Sequence, residues 1–516
     1  MIIKRTLYHF HFCCGLGGGA AGFNRARPRV GNVEARWECL GGIDVDPAGL
    51  RDFERLAGVP GTLLDLFTRD QYIRFHGTEP PAGWREATPE DIRRAAGGRR
   101  PDAVFISSPC KGASGLLSEK MSLTPKYQAL NELTLRCIWL MGEAWADDPV
   151  PLIVFENVPR LASRGRHLLD QINGLLGGFG YAVAETTHDC GELGGLAQSR
   201  KRFLLVARHV EKVPPFLYEP EKKSLRAVGD ILGRMPLPGD IEAAGPMHRV
   251  PSLQWKTWVR LALVRAGSDW RSLNDLAVED GYLRDLIIVP EYRSGYMGVH
   301  GWDDTAGTIA GRSGPTNGAF SVADPRYRQA SNWNHGQQFG VIRWAESAPT
   351  IPGQTMPGQG TFSVADPRPN WNRHSGNYRV IGFNQHSGAI AASSRYDSGR
   401  FSVADPRIPA ADERLTCIIR SLDGTWHRPF TTLEKAALQS LVEPEEYLVL
   451  DGMSDKDWSE RIGNAVPPHA AEAIADVMGT TLLLAEQGET FRLSNTPIWV
   501  RNVAVALSVA QQEVQP

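Results

Sequence analysis

The strongest constraint on this chain is a recurring pattern in its first 209 residues. Short, continuous apolar runs alternate with helix-compatible stretches. Residues 8–13, 103–107 (AVFIS), 152–155 (LIVF) and 203–207 (FLLVA) read as buried strands, and residues 127–145 read as a helix between two of them. A strand that is apolar throughout needs cover on both faces, and alternating helices provide it. The pattern therefore predicts an α/β fold built on a doubly wound parallel sheet. At 516 residues the chain has room for about three units, or for one enzyme domain with an insertion.

Composition narrows the function less than the fold. The chain is 42% hydrophobic and 22% charged, which excludes general disorder. Its 56 Lys and Arg against 58 Asp and Glu give a net charge of −2. Bulk charge is thus not its route to a nucleic acid, although a local cationic cleft is compatible with it. No apolar run is long enough to span a bilayer, and the start, Met1-Ile2-Ile3-Lys4-Arg5, lacks the layout of a signal peptide. Seven cysteines without a CxxC pair indicate neither a disulfide framework nor a structural zinc site, so a reducing cytoplasm is expected.

The middle of the chain reads differently. Residues 213–246 turn rich in Pro and Gly, and an internal repeat follows. The phrase FSVADPR begins at Phe320, Phe362 and Phe401, at spacings of 42 and 39 residues. Each copy is preceded by a related stretch, GTIAG at 307–311, PTIPG at 349–353 and GAIAA at 388–392. Short strands and turns are expected here. Within the phrase, Phe and Val would fill a core, and Asp-Pro-Arg would form a turn with an Asp–Arg pair. From Glu434 the pattern is helical again. The loop Gly463-Asn464-Ala465-Val466-Pro467 and a helix over 470–484 suggest a return to the first domain.

Three predicted strands end in residues that can do chemistry. In an open parallel sheet, ligands bind beyond the carboxyl ends of the strands. The first strand runs into Gly15-Leu16-Gly17-Gly18-Gly19, where backbone without Cβ can approach a nucleotide-like ligand. Asp44, in GGIDVD, is placed to hold ribose hydroxyls. Its distance from Gly15 is 29 residues, longer than the ~20 of a dinucleotide site. The second strand ends in Ser108-Pro109-Cys110, offering a nucleophilic thiolate or, more plainly, a packing cysteine. The third ends in Glu156-Asn157-Val158-Pro159, whose carboxyl acts as an acid in an apolar setting or simply caps a helix. Gln198-Ser199-Arg200-Lys201-Arg202 leads into the last strand. At period two, Arg200 and Arg202 share a face, where they orient an acid, a carbonyl or a phosphate, or form a basic edge.

The order of these elements is more specific than any one of them. CGLGGG, SPCxGxS, ENV, QSRKR and GNAVPP, in that sequence, resemble the motif series of the cytosine-C5 DNA methyltransferases over residues 8–209 and 426–480. The resemblance implies an α/β, doubly wound, Rossmann-like methyltransferase domain with an inserted, strand- and turn-rich target-recognition domain. It implies a first catalytic part at 1–209, a recognition domain at 210–425 and a return to the catalytic domain at 426–516. It implies that Cys14, Gly15, Leu16, Gly17, Gly18, Asp44, Val45, Asp65, Leu66, Pro109, Asn464 and Val466 hold S-adenosylmethionine, which leaves as S-adenosylhomocysteine, with no metal. Asp44 would bind the ribose and Asp65 would lie near the adenine. Cys110 matches the nucleophile, Glu156 the acid at the cytosine N3 edge and Arg202 the arginine at the ring carbonyl. Arg200 would support Glu156 or the DNA backbone, and Ser114 and Lys111 would contact the flipped nucleotide or its phosphates. Arg428, Thr431 and Glu434, in RPFTTLEKAALQ, resemble the element before the final motif.

Four positions depart from the family: His11 and Cys13 stand where Asp and Phe are usual, and Lys111 and Ala113 where Gln and Phe are common. The middle region carries a charge of +3 between residues 291 and 410, all of its cations arginine. Arginine suits bidentate guanine contacts and phosphate clamping. The stretches 312–317, 354–359 and 393–398, with Arg312 and Arg395, are the candidates for base readout. The expected partners are double-stranded DNA and a cognate restriction endonuclease, with no membrane, for a monomer in the cytoplasm of a bacterium, encoded there or by a phage. Other readings are an RNA cytosine-C5 methyltransferase and a catalytically silent DNA-binding regulator. A nicotinamide dehydrogenase would share the glycine loop but leaves the Pro-Cys and GNAVP elements unexplained.

Overall fold

A computed structural model of the chain describes residues 2–109, 124–215, 219–253, 255–266, 272, 379–390, 399, 401–408 and 425–487, with short strands between 278 and 365. The first part forms an eight-stranded sheet from β1 (Ile3–Phe12), β2 (Arg29–Val30), β3 (Val33–Asp44), β4 (Thr62–Leu63), β5 (Ala103–Ile106), β6 (Leu152–Asn157), β7 (Tyr181–Asp189) and β8 (Lys201–His209). The order is β2-β3-β1-β5-β6-β8-β7, with β4 beside β3. Strands β3, β1, β5 and β6 are mutually parallel. The expectation of a parallel sheet fails at both edges: the two-residue β2 runs antiparallel to β3, and β8 runs antiparallel to both β6 and β7. The cause at β8 is the short link between β7 and β8, residues 190–200. A parallel return needs a crossover of about a dozen residues or more.

The sheet is covered on both faces, as its apolar strands require. Val104, Ile106, Ile153 and Phe155 join a core with Ile138, Leu169 and Ile172 from the helices Pro125–Ala144 and Arg166–Gly178. Their neighbours Ala103, Phe105, Leu152 and Val154 face the other way, onto Phe23, Ala471, Ile474 and Met478. Burying each such side chain contributes roughly 1.5–3 kcal/mol. The second cover is built from the helices Gly18–Arg25 and Pro468–Glu486, so the end of the described chain does return to the first sheet. These two helices touch along bare backbone. A Cβ on Gly22 would lie 2.3 Å from the Pro468 carbonyl oxygen.

Beyond the sheet, the middle region forms small strand pairs. β9 (Val278–Glu279) and β10 (Tyr282–Leu283) are antiparallel. β11 (Val299–His300) pairs with β12 (Ser321–Val322), β13 (Val341–Arg343) with β14 (Ser363–Ala365) and β15 (Val380–Gly382) with β16 (Ser402–Asp405), all in parallel. β17 (Trp426–Pro429) then adds antiparallel to β16. The third FSVADPR phrase fills a core as expected. Val403 is buried with Ile381, Ile390, Phe430 and Leu433, and Asp405 accepts hydrogen bonds from the Arg407 backbone N–H and guanidinium. Among the described residues, no helix is long and apolar enough to cross a membrane.

A candidate active site at the carboxyl ends of the strands

The turn after β1 is the first wall of the site. Cys13, Gly15 and Gly17 all adopt positive φ, at 52°, 53° and 92°. Cys13 bears that conformation with a side chain, which is uncommon outside constrained sites. Its carbonyl accepts a hydrogen bond from Ser107 Oγ at 3.0 Å, so the turn is tied to the end of β5. A hydrogen bond to Cys137, reinforced by burial, pushes the Cys13 thiol well up.

Asp44, the last residue of β3, holds the turn from the other side. One carboxylate oxygen accepts from the Gly15 N–H at 2.8 Å. The other accepts from the Val45 and Asp46 N–H groups at 2.7 and 3.0 Å. Next to it Val45 is 62% exposed, an apolar side chain left open beside a fixed carboxylate. Asp65 is already engaged, accepting from the Phe67 N–H at 2.9 Å and from Trp84 Nε1 at 3.2 Å. Leu66 is buried in the sheet core and Leu16 in the core beneath the late loop.

The late loop reaches the glycine turn. A Cβ on Gly18 would meet the Val466 carbonyl oxygen at 2.3 Å, so only glycine fits there. Asn464, at the end of the helix Asp455–Asn464, is exposed beside it in sequence. Cys14 is partly buried, with its thiol pushed up by burial.

The second wall lies at the ends of β5 and β6. Ser108 is buried and shares a 2.5 Å hydrogen bond with Thr134, and Asn157 Nδ2 donates to the Ser108 carbonyl at 3.2 Å. The strand end is therefore braced immediately before Pro109, which is partly buried. Cys110, Lys111, Ser114, Arg312 and Arg395 lie outside the described residues. Glu156 is the penultimate residue of β6 and is about 9% exposed. Its carboxylate pairs with Arg202 Nε at 2.7 Å. Antiparallel pairing of β6 with β8 sets Glu156 opposite Leu204, which places Arg202 two residues further along the same face.

Arg200 does something else, and the expectation that it supports Glu156 or the DNA backbone needs correcting. It is 2% exposed. Its guanidinium donates to the carbonyls of Ile390 at 2.7 Å and of Gly463 and Ala465 at 3.0 Å. Burial, with Arg202 nearby, pushes it down to about 9, so it stays charged at neutral pH. β8 begins at Lys201, so Arg200 precedes the strand and the period-two rule does not extend to it. It ties the late loop to the third repeat. Sequence reasoning also missed the partner of Arg428. That side chain is fully buried between Asp405 and Glu434, at 2.6 and 2.7 Å. Thr431 and Glu434 form a reciprocal capping box at the start of the helix Thr432–Leu438, a signal present in the sequence as T-x-x-E.

The departures His11 and Cys13 sit under the turn. His11 stacks on Phe105 at 5.6 Å between centroids and shares a 2.8 Å hydrogen bond with His9, which is bonded in turn to Asn24. Burial pushes His9 down to about 4 and His11 well below its ordinary value. His9, His11 and Cys39 bring three potential ligand atoms within 4.8 Å of one another, but the two imidazoles already satisfy each other and Asn24.

Residues 87–246 match the family of C-5 cytosine-specific DNA methylases. They contain Pro109, Glu156 and Arg202. The chain carries a C-5 cytosine-specific DNA methylase domain. No curated protein matches the chain. Solved structures similar to this chain include the Entamoeba histolytica methyltransferase EhMeth, at 11% identity over 92% of this chain and 98% of that one, with a TM-score of 0.45. The Dnmt2 methyltransferase of S. pombe is 12% identical over 94% and 99%, with a TM-score of 0.45. A candidate DNA modification methyltransferase from an E. coli prophage is 15% identical over 92% and 99%, with a TM-score of 0.46.

Proposed function

We propose that this methylase acts on duplex DNA, placing a methyl group on C5 of a flipped cytosine in a defined sequence. The observation that carries the reading is the Glu156–Arg202 pair. It lies at the carboxyl end of β6, beside the strand end that leads into Pro109-Cys110. The chain would divide into catalytic segments at 1–209 and 426–516 around a recognition domain at 210–425.

The glycine turn fits S-adenosylmethionine. Positive φ at Gly15 and Gly17, the Val466 carbonyl closing on Gly18 and the Asp44 carboxylate beside exposed Val45 make a cradle with an acid for ribose hydroxyls and an apolar face for a base. When bound, S-adenosylmethionine supplies the methyl group. The remaining work belongs to the chain. Glu156 protonates or hydrogen-bonds N3 of the cytosine, while Arg202 orients that carboxyl and reaches the ring carbonyl. The ring thereby becomes electrophilic at C6. Cys110 attacks C6 as thiolate and forms a covalent bond, and C5 becomes nucleophilic. After C5 is methylated, loss of the C5 proton breaks the sulfur–C6 bond and restores the aromatic ring. The reacting atoms lie inside the base stack, so the target must leave the duplex.

Duplex DNA containing 5-fluorocytosine tests the covalent step, because fluorine at C5 blocks proton loss. The enzyme is expected to form an adduct that survives denaturing electrophoresis, and Cys110→Ala is expected to form none. An adduct that persists in Cys110→Ala contradicts the assignment. Trapping on RNA but not DNA makes the chain an RNA methyltransferase.

A further inference from the structure

The three repeats share more than a phrase. In each copy the second strand pairs with the first in the same parallel register, 22 residues on: Val299 with Ser321, Val341 with Ser363 and Val380 with Ser402. Each copy is therefore one unit of equal length from its first Val to its last Arg. The stretch between the two strands, at 312–319, 354–361 or 393–400, is where the copies differ most in sequence.

The third copy sits in a dock on the methylase domain, and the dock grips it chiefly by its backbone. The Ser387 N–H donates to the Ala197 carbonyl at 2.8 Å, and the Ser199 N–H donates to the Ser387 carbonyl at 2.9 Å. The Val228 and Gly229 N–H groups donate to the carbonyls of Gln385 and Phe383, and Arg200 donates to that of Ile390. Contacts of this kind do not read side chains. The side-chain clasp is Asp405 on buried Arg428, with Arg407 Nη1 on the Leu232 and Met235 carbonyls.

The other copies carry the same residue types in sequence. Asp324 and Asp366 stand in the register of Asp405, and Arg326 and Arg368 in that of Arg407. Ile309 and Ile351 match Ile390. Ser387 Oγ is buried without a hydrogen-bond partner, and the other copies have Ala306 and Ala348 at that position, which removes the mismatch. Copy two also keeps the buried Ile381 as Ile342, whereas copy one has His300. Chain length permits exchange. Between Val264 and Val299, the shortest link needed, an extended chain spans on the order of 100 Å.

We propose that the three repeats are alternative occupants of this single dock, each bringing its own variable stretch of sequence, so that one catalytic site serves more than one target sequence. The reading role rests on the DNA methyltransferase assignment, whereas the exchange does not.

The test compares Asp405→Ala, the double variant Asp324→Ala with Asp366→Ala, and the triple variant, all in the full chain. Thermal unfolding reports the dock, and bisulfite sequencing of DNA methylated in vitro reports the target. Exchange predicts that Asp405→Ala melts clearly above the triple variant, because copy two replaces copy three, and that its methylated sequences shift. Asp405→Ala melting with the triple variant overturns the proposal, as does equal melting of all four proteins. So do unchanged methylated sequences in Asp405→Ala. Melting that follows the exchange pattern, with no DNA methylation even in the parent chain, sinks the DNA assignment instead and leaves the exchange standing.

Discussion

Of the places where this molecule brings arginine to carboxylates, two differ sharply in how much water they admit. At the end of β6, Glu156 and Arg202 pair at 2.7 Å with side chains 11% and 15% exposed. At the dock, Arg428, Asp405 and Glu434 are fully enclosed. The first pair retains some exposure, which the proposed substrate edge would need in order to join it. The second has its hydrogen bonds filled by its own members and its capping box, and its side chains are closed to water. The same pairing is thus left partly open in one place and closed in the other. Arg200 and Arg202 repeat the contrast two residues apart, one closed on backbone carbonyls and the other beside the acid.

The largest expected effect separates the two places. Glu156→Gln should lower the methylation rate by roughly 10²–10⁴-fold while leaving the melting temperature unchanged, as single-turnover kinetics and calorimetry would show. A matching loss of stability would move Glu156 into the structural class. Arg428→Met should do the opposite. Removing one member leaves buried carboxylates uncompensated, a cost of about 3–5 kcal/mol measurable by denaturant unfolding. The charge on Arg428 opposes burial and holds Asp405 and Glu434 below their ordinary values. Depressed carboxylates stabilise the fold above their unfolded values and lose that contribution as pH falls through the folded ones. The difference between parent and Arg428→Met should accordingly shrink in acid. A difference independent of pH would argue against the ionic network.

A smaller effect sharpens the comparison with a buried pair that is neutral. Burial holds His9 at about 4, from an ordinary 6.5. Its neutral form is favoured in the folded chain, so stability is full above pH 6.5 and falls between 6.5 and 4, by about 3 kcal/mol. Unfolding curves of the parent across that window should slope downward more steeply than those of His9→Gln. Identical slopes would remove His9 from the account. The smallest effect is expected at Asp44. Asp44→Asn keeps an acceptor but sets an amide against N–H groups, and calorimetry should show S-adenosylmethionine binding weakened by about tenfold. Unchanged affinity would mean that the ribose is held elsewhere.

The first 209 residues were legible because their signals are local. Apolar runs marked β1, β5, β6 and β8, and the glycine, Pro-Cys, ENV and QSRKR motifs lay at or beside their ends. The direction of β8 was not carried by its apolar pattern, which is identical for either direction. It was set by the short link from β7. Arg200 was misplaced because period two holds only inside a strand, and β8 starts one residue later. The Asp405–Arg428 pair joins residues 23 apart through the pairing of β16 with β17. The first strands of the repeats, two or three residues each, are too short for any period to register, although the phrase that follows them was plain.

The most direct measurement is the fate of a labelled methyl group. Incubated with labelled S-adenosylmethionine and mixed-sequence duplex DNA, the protein should transfer label to C5 of cytosine in defined sequences, and Cys110→Ala should transfer none. Label found on adenine, or only on RNA, would contradict the account.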